Sequence, residues 1–462
     1  MKYSIARPLN DLVRRYIGAI PVSERVIENI GWLFFERLIR LLAGLTIGVW
    51  IARYLGPTQY GQLNYALAFV SLFAPIASLG LKNVVIRSLV RVPENSHTIL
   101  GSALGMRFLG GVLATIVAIT AILLIRPEDS QMHIMVGLIS FGMVIRTSEV
   151  VSYWYESRVL SKYVVWMQNL TFIVGIIAKL CLLYFEAPLL WFVFTILLEA
   201  FVSSAGLLVL YRYRDGTFDA WKFRFKESLD LVRASWPLLL SGLSIMVYMK
   251  IDQIMLGELL GERDVGIYSA ALRISELWFM VPMIIVSTVF PILLKDKNAS
   301  PQALERRFRF LTAGLATISL VFAITVTIFS GPLVSLLFGK DFLEAVEILR
   351  IHVWVGVFVA IGVAGNQWYL VHDMDRVSLH RTLVGAILNV LANQYLIPIY
   401  GIAGAAASTL LSQAVVTYVL DGLSTKTRTL FLTNSKALFI GPYVLWSEMK
   451  FIRRLNMNGV VE

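Results

Sequence analysis

Eight cations, Arg37, Arg40, Arg107, Arg146, Lys179, Lys250, Arg273 and Arg350, stand inside stretches that are otherwise almost wholly apolar. Five acids, Glu36, Glu149, Glu199, Asp252 and Glu276, join them. A charge held in hydrocarbon costs from a few kcal/mol upward, so such residues turn toward protein or water and mark paths for ions or charged cargo. An arginine fork fits phosphate oxygens two at a time, whereas a lysine supplies a point charge. A carboxylate at the same depth can carry a proton or hold Na⁺. The chemistry on offer is reversible binding of an anion in a lining with 8 cations against 5 acids. Glu36, Glu149, Glu199 and Asp252 are the candidates for a coupling ion.

Helices must position these groups, and helical phase sorts them. Arg37, Arg40, Gly44 and Gly48 fall on one face, as do Gly142, Arg146, Glu149 and Tyr153, and Ser269, Arg273, Glu276 and Met280. Depth along the spans puts Arg37, Arg40, Arg107 and Arg146 toward the cytoplasmic third of the first half, where they are expected to face cargo. Lys250 and Arg273 are expected nearer the middle or outer half of the second half, as further cargo-binding cations. Lys250 and Asp252 are two residues apart and point to nearly opposite sides of a straight helix. Folding the chain back at residue 260 is expected to bring Asp252 near Arg273 and Lys250 near Glu276. Arg350 lies close to an outer edge, where its long stem lets the charge snorkel.

Composition defines the elements. The 462 residues are 57% hydrophobic and 15% charged, with a mean hydropathy of +0.73, whereas a soluble domain runs at about a quarter charged. Blocks such as "GGVLATIVAITAILLI" and "FLTAGLATISLVFAITVTIF" are long enough to cross a hydrocarbon core of about 30 Å. The expected fold is an all-α polytopic membrane protein. Twelve spans are expected at 31–54, 61–80, 100–125, 132–155, 163–184, 188–211, 234–257, 265–294, 309–330, 346–371, 378–398 and 402–421. The eighth holds Pro282 and Pro291 and is expected to bend or end early. Alternating ten-residue strands, the mark of an outer-membrane barrel, do not occur.

The net charge of +11 invites a nucleic-acid reading, but the placement of the charges argues against it. With residues in the first or last turn of a span (Arg53, Arg309, Arg381) counted in the adjoining connection, 29 of the 41 Lys and Arg fall in even-numbered connections and the termini and 4 in odd-numbered ones. That bias sets both termini in the cytoplasm. Residues 1–30 are basic without a sustained apolar core, so they read as an amphipathic cytoplasmic lead-in rather than a cleavable signal. The lone Cys181 allows no disulfide framework.

A turn recurs. "LGPTQYGQLNYAL" at 55–67 and "LGERDVGIYSAAL" at 260–272 share five of thirteen positions. The first joins spans 1 and 2, the second spans 7 and 8. Parallel repeats about an axis along the membrane normal follow, with two six-helix lobes around a central cavity. The lobes are expected at 31–211 and 234–421, joined by a cytoplasmic linker at 212–233 and followed by a cytoplasmic tail at 422–462. The apolar "LFIGPYVLWS" in that tail is too short and broken to span, and is expected to be cytoplasmic or to lie on the surface.

"ARYLGPTQYGQLNYALAF" (52–69), "DQIMLGELLGERDVGIYSAALRISE" (252–276) and "LIPIYGIAGAAASTLLSQ" (396–413) resemble segments of the Wzx-type oligosaccharide flippases. These group with lipid II flippases and multidrug extruders in one transporter superfamily. The resemblance implies a carrier in the bacterial inner membrane. It would move polyprenyl-pyrophosphate-linked oligosaccharides outward for surface polysaccharide such as O-antigen or exopolysaccharide. It also implies membrane lipids, a polymerase and export proteins as partners. A lipid II flippase or a cation-coupled multidrug exporter is the alternative within the fold. The small residues Gly401, Gly404, Ala405, Ala406, Ala407 and Ser408 have their own reading, close packing of spans 11 and 12.

No catalytic or cofactor site is expected. A membrane polymerase or glycosyltransferase would carry acids or bases on a sizeable external loop, and the longest such connection here is 330–345. His372, Asp373, Asp375 and His380 sit in a cytoplasmic turn with nothing to complete a metal site. No G-x-x-x-x-G-K-[ST] loop occurs, so ATP is not the direct driver. An inside-negative potential favours outward movement of an anion by about 2.3 kcal/mol per charge per 100 mV. Exchange for H⁺ or Na⁺ is the other driver the carboxylates allow.

Overall fold

The computed structural model describes the backbone of residues 24–299, 301–372 and 374–457. It describes the side chains of residues 40–290, 293–294, 302–372, 374, 377–447 and 450. Among these residues the chain is almost wholly helical, with short turns and no strand. Ten helices are long and apolar enough to cross a membrane, from Pro93–Ile125 to Ile402–Leu423, and they coincide with expected spans 3 to 12. The bent pair Arg40–Ser71 and Ala74–Arg91, meeting at 43°, raises the number to 11.

Expected spans 1 and 2 share the helix Glu24–Ser71, which is interrupted at Gly56 (φ 68°, ψ 173°). Its contacts run out and back. Arg40 bonds Asn169 and Tyr54 bonds the Ala187 carbonyl, then Tyr65 meets Gly257 and, just past the helix end, Pro75 meets Gly242. Pro57 follows at once; its fixed φ and missing N–H suit the first position of a helix. The second copy of the motif does the same with Gly261 (φ 104°, ψ 175°), between Phe225–Leu259 and Glu262–Ser275. This combination of φ and ψ is essentially open to glycine alone.

Two spans break at their charges. Ser130–Ile145 passes through a 3₁₀ turn, Arg146–Glu149, into Val150–Ser157. Glu262–Ser275 passes through Glu276–Phe279 into Met280–Ala299. The second break lies just before Pro282, which has no N–H to bond the Trp278 carbonyl. The α-helix of the eighth span is thus interrupted upstream of Pro282. Irregular backbone at membrane depth is tolerated where protein or a water-filled cavity surrounds it.

Spans 11 and 12 pack as their small residues predict. A Cβ on Gly404 would lie 2.1 Å from the Leu396 carbonyl oxygen. The tail forms the helix Arg428–Met457, kinked at Ile440. Its Ala437, Leu438, Val444 and Leu445 pack on Ala313, Ala316 and Ile361 of spans 9 and 10.

Candidate functional site

The in-span charges sort by the partners their helices bring. Arg107 is 6% exposed. It donates to Glu149 at 3.0 Å, to the Tyr153 hydroxyl and to the Arg146 carbonyl. Lys179 pairs with Glu199 at 2.6 Å. Lys250 meets Glu276 at 3.8 Å, as the fold-back at residue 260 predicts. Arg40 donates to Asn169 and lies over the Phe172 ring. Arg350 donates to Ser330 at 2.9 Å. The side chains of Glu36 and Arg37 lie outside the described residues.

The expected pairing of Asp252 with Arg273 does not form. Asp252 is 2% exposed, and it accepts from the Tyr268 hydroxyl, from Thr409 at 3.4 Å and from the Gln253 amide at 2.8 Å. Arg273 leaves its own half and donates to the Gly44 carbonyl of span 1 at 3.0 Å. A Cβ on Gly48 would lie 2.3 Å from its Nη2. The reason is rotational: Asp252 faces the span-12 side of its helix, Arg273 the opposite half. The glycine face predicted on span 1 is real, and its occupant is a cation from the other repeat.

The first-half cations expected to face cargo keep different partners. Arg107 is buried and bonded to Glu149, Tyr153 and the Arg146 carbonyl. Glu149 and Glu199 are tied up in ion pairs, unlike Asp252. Among the described residues, Arg146, Arg273 and Arg350 are exposed and have no carboxylate within ion-pair distance, Arg350 donating to Ser330 and Arg273 to a backbone carbonyl. A guanidinium held only by a backbone carbonyl keeps most of its donors for an anion.

At the end of the molecule where the repeated motifs lie, the halves are clasped. A Cβ on Gly61 would lie 1.7 Å from the Glu262 carbonyl oxygen, and one on Gly266 would lie 1.9 Å from that of Pro57. Arg126 crosses from the first half to Glu258 at 2.7 Å, to Glu262, and to the Gly257 carbonyl at 3.0 Å. Its guanidinium lies 4.1 Å over the Tyr65 ring, whose hydroxyl donates to Glu258 at 2.6 Å. Burial alone would lower Arg126, but its bonds to Glu258 and Glu262 outweigh that and hold it above its ordinary value. Arg53 donates to the Leu336 carbonyl nearby. In the sequence, Arg126 reads as a marker of topology only. The Glu258–Glu262 spacing of four, two acids on one helical face, was the available signal.

Among the described residues no three His, Cys, Asp or Glu side chains gather as a metal site. Asp373 and the Asp375 side chain lie outside them.

A family model described as polysaccharide biosynthesis protein matches residues 26–295. A second, MatE, matches residues 237–395. The probable low-salt glycan biosynthesis flippase Agl15 of Haloferax volcanii is 25% identical over 195 residues, 42% of this chain and 41% of that protein. The matched stretch thus spans about two fifths of that relative's length. Two solved structures share the fold. An inward-facing multidrug resistance MATE transporter of the MOP superfamily aligns with TM-score 0.68 and 15% identity over 89% of this chain and 96% of that one. The lipid II flippase MurJ, inward closed, aligns with TM-score 0.68 and 12% identity over 92% and 98%.

Proposed function

We propose that this chain, which belongs to the polysaccharide biosynthesis protein family, is a flippase for a polyprenyl-pyrophosphate-linked oligosaccharide. One observation carries the reading: among the described residues Arg146 and Arg273 lack an acidic partner, while Arg107, Lys179 and Lys250 each have one. Two guanidinium groups left open at membrane depth suit a pyrophosphate. The name of the Haloferax relative, a glycan biosynthesis flippase, supports a glycan cargo.

The carrier works by alternating access. It takes cargo on the cytoplasmic side of the plasma membrane while the Gly61–Gly266 and Arg126 contacts hold the outer side shut. Parting those contacts releases the cargo outward. Asp252 is the favoured coupling-ion residue, being, among the described candidates, the acid that meets hydroxyls rather than a cation. Cytoplasmic termini, and a polymerase and export proteins that take over the product, complete the reading.

The MatE match across the second half favours one rival, an ion-coupled exporter of the same fold. Proteoliposomes separate the two. Purified protein is expected to expose a fluorescent polyprenyl-pyrophosphate-linked oligosaccharide to an external quencher and to leave cationic dyes unmoved. Dye efflux without lipid translocation would reverse the choice.

A further inference from the structure

A cavity of about 220 Å³ lies among the helices of the first half. Its polar lining is Lys82, Glu149, Ser152, Tyr153, Glu156, Gln168 and Ser203, the Ser152 hydroxyl being spent on the Glu149 carbonyl. Lys82 bonds Glu156 at 2.9 Å, and Arg107 bonds Glu149 at 3.0 Å. Two acids are thus matched by two cations, and the cavity offers an anion no net attraction.

What it offers is hydrogen bonding. Each carboxylate keeps an oxygen outside its ion pair, and the Lys82 ammonium keeps spare N–H groups. The Gln168 amide and the Ser203 hydroxyl have no partner among the described residues. Val164, Met167 and Leu207 add apolar surface. Donors and acceptors around apolar surface, without net charge, fit an uncharged polyhydroxylated ring, and the volume holds one sugar ring and little more.

The position matters as much. Glu149 ends the 3₁₀ turn that Arg146 begins, about 6 Å further along the axis at roughly 2 Å per residue. In a lipid-linked sugar pyrophosphate, the first sugar is bonded directly to the phosphate a cation would hold. We propose that this cavity is the subsite for that first sugar, uncharged, read by Gln168, Ser203 and the outward oxygens of Glu149 and Glu156. The proposal rests on the flippase reading and narrows it to a head group whose first sugar is not a uronic acid, since a carboxylate there would meet two others.

The test titrates purified full-length protein with undecaprenyl pyrophosphate, bare or carrying one glucose, galactose, N-acetylglucosamine or glucuronic acid. At least one uncharged sugar is expected to tighten binding roughly tenfold over the bare lipid, the yield of one or two good hydrogen bonds. Glucuronic acid should give no gain. Gln168→Leu with Ser203→Ala should return the sugar lipid to the bare-lipid affinity and leave bare-lipid binding unchanged. Ser203→Leu, which fills the cavity, should do the same by exclusion, and unchanged bare-lipid binding certifies the fold of each variant. The subsite is overturned if no uncharged sugar improves on bare lipid, or if the gain survives both variants; bare-lipid binding then leaves the flippase reading standing. A protein that binds none of the five lipids overturns both.

Discussion

Gly61 and Gly266 touch backbone to backbone, each the second glycine of its copy of the repeated motif. The relation is reciprocal: Gly61 lies against Glu262 and Gly266, and Gly266 against Pro57 and Gly61. Two copies of one turn, related by an approximate two-fold axis, meet at that axis, where each needs a surface without a side chain. The repeat in the sequence is therefore the interface between the halves.

That interface predicts the effect of one methyl group. In Gly61→Ala the new Cβ would lie 1.7 Å from a backbone oxygen, which has no rotamer to move away. The form closed at this end should become inaccessible, while the open form, with the motifs parted, accommodates the methyl. Gly61→Ala and Gly266→Ala are expected to reach the membrane normally, to lose flipping, and to expose a cysteine placed at Thr58 to external thiol reagents. Wild-type flipping by both variants would show that the halves do not close through these glycines.

Arg126 supplies the polar part of the same contact. Its side chain is 11% exposed, while Glu258 and Glu262 are about a third exposed at 33% and 27%. Solvent screening of the acids keeps each bond to about 1 kcal/mol. Glu258→Gln with Glu262→Gln is expected to shift the open-to-closed ratio roughly tenfold toward outside labelling, and Arg126→Ala to do the same. An unchanged labelling ratio would reduce the cluster to surface decoration.

Much of this was legible from the sequence because the signals are long or exclusive. Twenty apolar residues in a row allow little but a span, and the conformation at Gly56 and Gly261 allows little but glycine. The partners of the charges were not legible. Helical phase says which face a residue occupies, not how far its helix is turned toward each neighbour. So Lys250 was matched to Glu276 correctly, whereas Arg273 crossed 229 positions of chain to Gly44 and left Asp252 to Tyr268 and Thr409. Neutral partners carry no charge pattern to read.

The pair Arg263 and Glu344 predicts a pH effect. Glu344 accepts two bonds from Arg263, at 2.7 and 3.0 Å, and these hold its carboxyl below the ordinary value of 4.5. A depressed native pKa means that the contribution to stability is full above the ordinary value and is lost as pH falls through the lowered one. The melting temperature of the wild type should exceed that of Glu344→Gln at neutral pH, and the gap should close on acidification below about 4.5. A gap constant with pH would assign the difference to something other than this carboxylate.

Asp252 gives a different signature. Its partners are hydroxyls and a backbone amide, so Asp252→Asn keeps the shape while removing the titratable charge. Abundance should hold, and transport should stop responding to an imposed proton or Na⁺ gradient. Asp252→Ala should also lower abundance, because the Tyr268 hydroxyl loses its acceptor at a cost of about 1–3 kcal/mol. Gradient dependence intact in Asp252→Asn would move the coupling ion elsewhere.

The cationic residues separate by the partners they keep, and that separation sets the last prediction. Arg146 and Arg273 are open to an anion; Arg107 is committed to Glu149 and Tyr153. A lysine preserves charge but not the two-pronged grip on phosphate. Arg146→Lys and Arg273→Lys are therefore expected at normal abundance with flipping reduced roughly tenfold, and the alanine variants should fall further. Arg107→Ala should behave otherwise. It strands the Glu149 carboxylate and the Tyr153 hydroxyl in the first half, so abundance should drop with transport, and Glu149→Gln in the same chain should restore part of the abundance. Flipping measured per molecule in the same membranes distinguishes the two classes. Full abundance of Arg107→Ala with lost flipping would return Arg107 to the cargo path. Undiminished flipping by Arg146→Ala and Arg273→Ala together would remove both guanidinium groups from it.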